Sequence, residues 1–463
     1  MSTTFQIITP VNGVVHTVCP FATESDVLQA AEKARRAQPG WAQVSLQERK
    51  SVCSRFLEVF AAQRDQISEE LAWLMGRPVT AGPGEIKGVI ERTTYLLGVA
   101  EETLAEEHFE DRTGFERWIS REPLGVVFVI APWNYPYLTA INSIVPALLA
   151  GNAVLLKHAT QTAPCAERLA KAFRQVGLPE DLLVSLPMTH EVAAKLIASP
   201  LINHVVLTGS VGAGRAVQKA ASERFVGVAT ELGGKDPAFV RADADLAKTV
   251  PSLVDGSFFN SGQSCCGVER IYVETDIFEE FVESFVAETR KLVLGNPLDP
   301  STSLGPMVTA RAADQVRRQV EEAMRAGANR LIGPDDFPAD APGTAYLAPQ
   351  VLVGVDHGMG VMRDETFGPA IGIMAVSGDA AAVQLMNDSQ YGLSASVWTQ
   401  DADAARRIDR ALETGTVFMN RCDYLDPALP WVGVKDTGRG CSLSKLGFLA
   451  LSRPKSHHYR LSA

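Results

Sequence analysis

Apolar residues along this chain follow two patterns. Between about residues 24 and 75 they recur at helical spacing, with Leu46, Val52, Phe56, Val59 and Phe60 on one face. That period predicts amphipathic helices over 25–37 and 45–76, and a further helix over 84–107. From residue 125 the pattern changes. Segments 125–131 (GVVFVIA), 152–157 (NAVLLK), 181–186 (DLLVSL) and 203–208 (NHVVLT) are short and nearly all apolar, with helical segments between them. One of these helices starts at Thr162, with Pro164 in its first turn. Buried strands alternating with helices predict a parallel sheet covered on both faces. Such a sheet binds ligands beyond the carboxyl ends of its strands.

A second α/β unit is predicted after Gly234. Its strands lie near 237–240, 270–273, 370–375, 395–398 and 416–419, with helices over 277–293 and 310–326. Segment 114–122 (GFERWISRE) alternates like an exposed β-ribbon, and 333–343 reads as a surface connection.

Composition narrows the class. The chain has 463 residues, which predicts two or three domains, and its 46% hydrophobic content can fill large cores. A net charge of −11 argues against a general nucleic-acid surface. Seven cysteines without a C-x-x-C pair, and no basic-plus-apolar leader over 1–10, predict a reducing, cytoplasmic location. No apolar run reaches about 18 residues, so no membrane span is expected. No metal-ligand spacing occurs among the eight histidines. His457 and His458 read as a solvated tail.

Four segments carry candidate chemistry. In 258–266 (FFNSGQSCC), Cys265 follows a Gly-Gln turn that can hold a sulfur at a cleft, beside a backbone N–H. Alone, such a cysteine is more often an inert core residue. Adjacent residues cannot share one face, so at most one of Cys265 and Cys266 is a nucleophile. In 231–235 (ELGGK), Glu231 sits at a strand end as a candidate general base. In 132–136 (PWNYP), Asn134 offers an amide donor for an oxyanion, although a turn asparagine capping its own backbone is the commoner use. Segment 208–214 (TGSVGAG) is a glycine-rich strand-to-helix turn suited to phosphate, without the usual G-x-G-x-x-G spacing. Lys157, closing another strand, can reach ribose hydroxyls or a phosphate.

Together, PWNYP, a strand-end lysine, TGS-x-x-x-G, ELGGK and GQSC resemble the aldehyde dehydrogenase superfamily in order and spacing. So do 365–369 (ETFGP), Tyr391 to Ser394, and 430–433 (PWVG) with Lys435 and Gly438. The resemblance runs from about residue 5 to the end. It implies an α/β fold with a Rossmann-like cofactor domain (1–107 and 124–233), a catalytic domain (234–435) and an oligomerisation arm (108–123 and 452–463), in a homodimer or homotetramer. It further implies Cys265 as nucleophile, Asn134 and the Cys265 N–H as oxyanion donors, and Glu231 as the base that hydrolyses a thioester. NAD or NADP would be held by Trp133, Lys157, Thr160, Gly209, Ser210, Gly214, Leu232, Gly233, Glu365 and Phe367. The substrate tunnel would include Tyr135, Thr139, Asn142, Ser264, Tyr424 and Trp431.

Where many relatives carry a glutamate that repels a 2′-phosphate, this chain has Thr160, so NADP is expected to be accepted alongside NAD. His158 stands where proline is common and receives no role. Some relatives that take acidic semialdehydes carry an arginine where Asn142 stands, so an aliphatic or aromatic aldehyde is expected. An amino-aldehyde attracted by Asp423 or Asp426 is the next reading, with a semialdehyde and a CoA-acylating or reductive activity as alternatives. Glu231 argues for hydrolysis. A non-catalytic scaffold protein is disfavoured by the presence of both Cys265 and Asn134, and ester hydrolysis is compatible as a side activity.

Overall fold

In the computed structural model, which describes residues 3–110 and 112–461, two large sheets form the frame. The first runs, edge to edge, Gly438–Arg439, Gly227–Glu231, His204–Thr208, Val126–Ala131, Ala153–His158 and Leu183–Ser185. All its pairings are parallel except that of Gly438–Arg439. The second runs Asn329–Arg330, Gln350–Val353, Ala370–Val376, Val268–Glu274, Asp236–Val240, Ser394–Trp398 and Thr416–Met419.

Strand direction decides where the motifs fall. PWNYP follows Val126–Ala131, and Glu231 ends Gly227–Glu231, so both lie at carboxyl ends of the first sheet. Cys265 precedes Val268–Glu274, and Glu365 precedes Ala370–Val376, at amino ends of the second. Motifs far apart in sequence therefore meet at the seam.

The helices also differ from expectation in instructive ways. The first extends over Glu24–Gln43, past Pro39, started by a capping box between Thr23 and Asp26. Its buried Trp41 donates Nε1–H to the Leu148 carbonyl at 2.9 Å. The stretch over 45–76 is two helices, Leu46–Ala61 and Arg64–Met75. Gly76 closes the second at φ 82°, and a Cβ there would lie 2.6 Å from the Pro306 carbonyl oxygen. Helix Pro136–Leu149 escaped the amphipathic pattern because almost every side chain in it is buried.

Beyond the second sheet the chain returns to the first unit. Gly438–Arg439 pairs with Thr230 and Glu231, and Phe448 and Leu451 join the first core. Ser452–Arg460 then pairs in nine registers with Phe115–Pro123, which also pairs with Glu107–His108. The two histidines are thus strand residues of a projecting ribbon rather than a loose tail. His457 stacks on Trp118 at 4.2 Å and His458 on Phe115 at 5.1 Å. Residues 462 and 463 lie outside the described residues. Among the described residues no helix is long and apolar enough to cross a membrane.

Candidate active site

The turn before Cys265 is built from backbone that few side chains tolerate. Asn260, Ser261 and Gly262 have φ of 53°, 56° and 67°. Three successive left-handed residues need external fastening. Ser261 Oγ donates to the Gly305 carbonyl at 2.6 Å, and Gln263 Oε1 accepts the Val308 N–H at 2.8 Å. A Cβ on Gly262 would lie 2.3 Å from the Gly368 carbonyl oxygen. Cys265 emerges from this fastened turn with partial exposure.

Asn134 bridges to the same turn. It is 4% exposed, and its Nδ2 donates to the Gln263 carbonyl at 3.0 Å. Its backbone carbonyl accepts from Arg77 and Asn260. Arg77 forms a buried ion pair with Glu85, whose other oxygen caps helix Pro136–Leu149 by accepting the Tyr137 N–H at 2.7 Å. Arg77 also lies over the Tyr135 ring at 4.5 Å. This Arg77–Glu85 brace has no signature in local sequence; it exists because the helix Gly82–Leu104 packs against Pro136–Leu149.

Glu231 receives the Thr208 hydroxyl at 3.3 Å, and burial raises its pKa above the ordinary carboxylate value. Cys266 behaves differently from its neighbour. It is 3% exposed, and its Sγ lies 2.9 Å from Asp423 Oδ1. The adjacent Cys265 sulfur, burial and the Asp423 charge push the Cys266 thiol well above its usual range. It is a protonated donor to Asp423, which decides a question the sequence left open.

Most of the residues expected to hold a cofactor lie at the carboxyl ends of the first sheet's strands, while Glu365 and Phe367 come from the segment before Ala370–Val376. Ser210 caps helix Val211–Ala221 by accepting the Ala213 N–H at 3.3 Å. The helix start is open at Gly212, where a Cβ would meet nothing closer than 4.0 Å. Gly209 donates its N–H to the Glu231 carbonyl. Gly214 is required by packing, since a Cβ would lie 2.7 Å from Leu232. Glu365 lies against Gly233, where a Cβ would come within 2.1 Å of its carboxylate, and it accepts the Gly234 N–H at 3.2 Å. Burial, reinforced by Glu269, pushes the Glu365 pKa up to about 7.

Lys235 and Glu269 position the Glu365 segment. They pair at 2.6 Å, while Glu269 accepts the N–H groups of Thr366 and Phe367 at 2.8 and 2.9 Å. Phe367, at φ 49°, meets Trp133 edge to face at 5.6 Å. Lys157 is 4% exposed, and burial lowers its pKa. Thr160 is exposed and opens a short 3₁₀ turn, Thr160–Thr162. His190, which heads helix His190–Ala198, feels the Lys157 charge from the same corner. His158 is buried, and burial, with the Lys157 charge beside it, holds its pKa at about 3.

The tunnel residues divide. Tyr135 and Ser264 stand at the cysteine turn, and Ser264 Oγ donates to Asp423 at 3.1 Å. Thr139 Oγ1 turns inward to the Tyr135 carbonyl at 2.8 Å. Trp431 is 4% exposed and packs with Cys266, Leu393 and Leu443. Tyr424 is fastened to Glu91 at 2.7 Å, with the Arg421 guanidinium 3.5 Å over its ring. Asn142 accepts from Arg92 at 3.0 Å, a residue that no motif singles out.

The two sheets thus bring a thiol turn, an amide and a carboxylate to their adjoining strand ends, beside an open helix N-terminus. Residues 1–456 match the Aldehyde dehydrogenase family, and the chain belongs to it. An aldehyde dehydrogenase of Paenarthrobacter nicotinovorans is 34% identical over 443 residues, covering 95% of this chain and 96% of the relative. Succinate-semialdehyde dehydrogenase (NADP+) 1 of Mycobacterium bovis is 33% identical over 442 residues, with 95% and 96% covered. The crystal structure of an NAD-dependent aldehyde dehydrogenase from Sinorhizobium meliloti superposes with a TM-score of 0.95 at 29% identity, covering 99% and 92% of the two chains. The chain is an oxidoreductase of NAD(P)-dependent aldehyde dehydrogenase type.

Proposed function

We propose that this protein oxidises an aldehyde to a carboxylic acid through a thioester on Cys265, which water then releases. The observation that carries this reading is the Asn134–Gln263 bond, which joins the oxyanion donor to the nucleophile's own turn. Cys265 Sγ adds to the aldehyde carbon, forming a thiohemiacetal whose oxygen lies toward the Asn134 amide and the Cys265 N–H. The residues at the two sheets' adjoining ends fit a dinucleotide: from the first, the Ser210 helix start takes the pyrophosphate and Lys157 the adenine-side ribose; from the second, Glu365 takes the nicotinamide ribose. When bound, NAD or NADP supplies the hydride acceptor. Glu231 then takes a proton from water as the water attacks the thioester, and Cys265 leaves as thiolate. The raised pKa of Glu231 suits a proton acceptor working near neutrality.

Replacing Asn134 by alanine removes one preorganised donor, and kcat is expected to fall about 10²–10³-fold. Steady-state assays with iodoacetamide labelling check this: labelling of Cys265 persists while turnover drops. An unchanged kcat would remove Asn134 from the oxyanion site.

Both NAD and NADP are proposed to serve. Thr160 is neutral and exposed three residues after Lys157, so position 160 itself sets no carboxylate against a 2′-phosphate. Thr160→Glu is expected to lower kcat/KM for NADP by about a hundredfold relative to NAD, roughly 3 kcal/mol. A wild-type preference for NAD above about a thousandfold would overturn the reading.

The substrate tunnel does not favour a cationic aldehyde, because Asp423 already accepts from Ser264 and Cys266. Trp431 stays in the cluster that packs against Cys265, whereas Tyr424 is turned to Glu91. The domain division drawn from sequence is supported by the two sheets, with 436–451 added to the cofactor unit. A homodimer or homotetramer is proposed through the ribbon, which exposes Tyr459 and Leu461.

A further inference from the structure

Arg92 sits in the middle of the helix Gly82–Leu104, outside every motif considered above. Its side chain belongs to the buried set, at 9% exposed, yet among the described residues no carboxylate lies within 4.0 Å of it. Nη1 donates to the Leu138 carbonyl at 3.2 Å and to Asn142 Oδ1 at 3.0 Å. Nε and Nη2 have no hydrogen-bond partner among the described residues, and neither is sealed from solvent. Of the acids on its own helix, Glu85 is committed to Arg77 and to the N–H groups of Tyr137 and Leu138, and the adjacent Glu91 is turned to the Tyr424 hydroxyl.

A buried guanidinium without a counter-charge is costly, and the cost is recovered when an anion pairs with it. The acids that act on Arg92 electrostatically are Glu231 and Glu85. Glu231 is within electrostatic reach of Arg92, as are Cys265 and Cys266. Burial still dominates Glu231 and raises its pKa, so Arg92 does not serve mainly to keep that base ionised. Asp423 is occupied by Ser264 and Cys266, and Glu91 is turned to the Tyr424 hydroxyl. That Glu91–Tyr424 bond fastens the arginine's helix to the loop that carries Asp423, and Arg92 is within electrostatic reach of Cys265. Arg421, exposed over Tyr424, adds a second cation at the mouth.

We propose that Arg92 is a specificity-determining residue that receives the distal carboxylate of an ω-carboxylated aldehyde, the semialdehyde of a short dicarboxylic acid. The charge that an arginine at position 142 would supply comes here from another helix and is held in place by Asn142. This assignment rests on the reading that Cys265 oxidises aldehydes.

Two measurements test it separately from that reading. First, kcat/KM is compared for succinic semialdehyde and butanal in the wild type, Arg92→Met and Arg92→Lys. The preference for the acidic aldehyde should fall about a hundredfold in Arg92→Met, chiefly through KM, and recover in part in Arg92→Lys. An equal loss on both aldehydes would overturn the assignment, because it would show Arg92 acting on the catalytic groups. Second, succinate should slow iodoacetamide labelling of wild-type Cys265 but not of Arg92→Met. No protection of the wild type overturns the assignment whether or not the variants fold. Protection by succinate without oxidation of any aldehyde would leave Arg92 as a carboxylate site and defeat the dehydrogenase reading instead.

Discussion

Replacing Cys265 by alanine lowers aldehyde-dependent reduction of NAD or NADP below about one part in ten thousand of the wild-type kcat, because no covalent route remains. The neighbouring sulfur does not rescue the variant. Cys266 is buried, held protonated, and donates to Asp423 2.9 Å away. Dinucleotide binding, followed by fluorescence titration, stays within about threefold, since the sulfur lies apart from the Ser210 helix start and Lys157. Substantial turnover in Cys265→Ala would defeat the mechanism, and loss of dinucleotide binding would show that the substitution had disturbed the fold.

The second large effect separates acylation from release. In Glu231→Gln the thiol still attacks, so one equivalent of reduced cofactor per subunit is expected as a burst. Turnover afterwards slows by about 10²–10⁴-fold, the usual contribution of a positioned general base. Intact-protein mass spectrometry then finds the acyl adduct on Cys265. The pH dependence has a definite sign. Burial raises the Glu231 pKa, so its basic form is lost, as pH falls, at a higher pH than the ordinary value of about 4.3. The acid limb of kcat therefore lies above that value in the wild type and disappears in Glu231→Gln. A wild-type acid limb at the ordinary glutamate value would contradict the buried geometry. A variant that hydrolyses at the wild-type rate would remove Glu231 from the role.

Some of this was readable from residue patterns and some was not. The strands over 125–131, 152–157 and 203–208 were legible because a strand covered on both faces is apolar at every position. Helix Pro136–Leu149 was not, because burial on all sides erases the amphipathic period. Cys265, Glu231, Asn134 and Lys157 were legible because each sits in a short motif at a strand end. The Arg77–Glu85 brace, the Lys235–Glu269 pair that carries the Glu365 segment, and the placement of Arg92 on Asn142 were not. Their partners are 8, 34 and 50 residues apart, with no spacing rule to connect them.

The amino-acid sequence by itself determined the α/β alternation and the family, and singled out the candidates for nucleophile, base and amide donor, since these reside in local backbone preferences and contiguous motifs. Only the tertiary structure decided that Cys266 is a buried donor to Asp423, that His457 and His458 belong to a paired ribbon, and that a buried guanidinium with no ion-pair partner among the described residues stands near Glu231 and Cys265. Those outcomes depend on burial and on which side chains share a cleft. Both are properties of two packed sheets, which no single stretch of chain encodes.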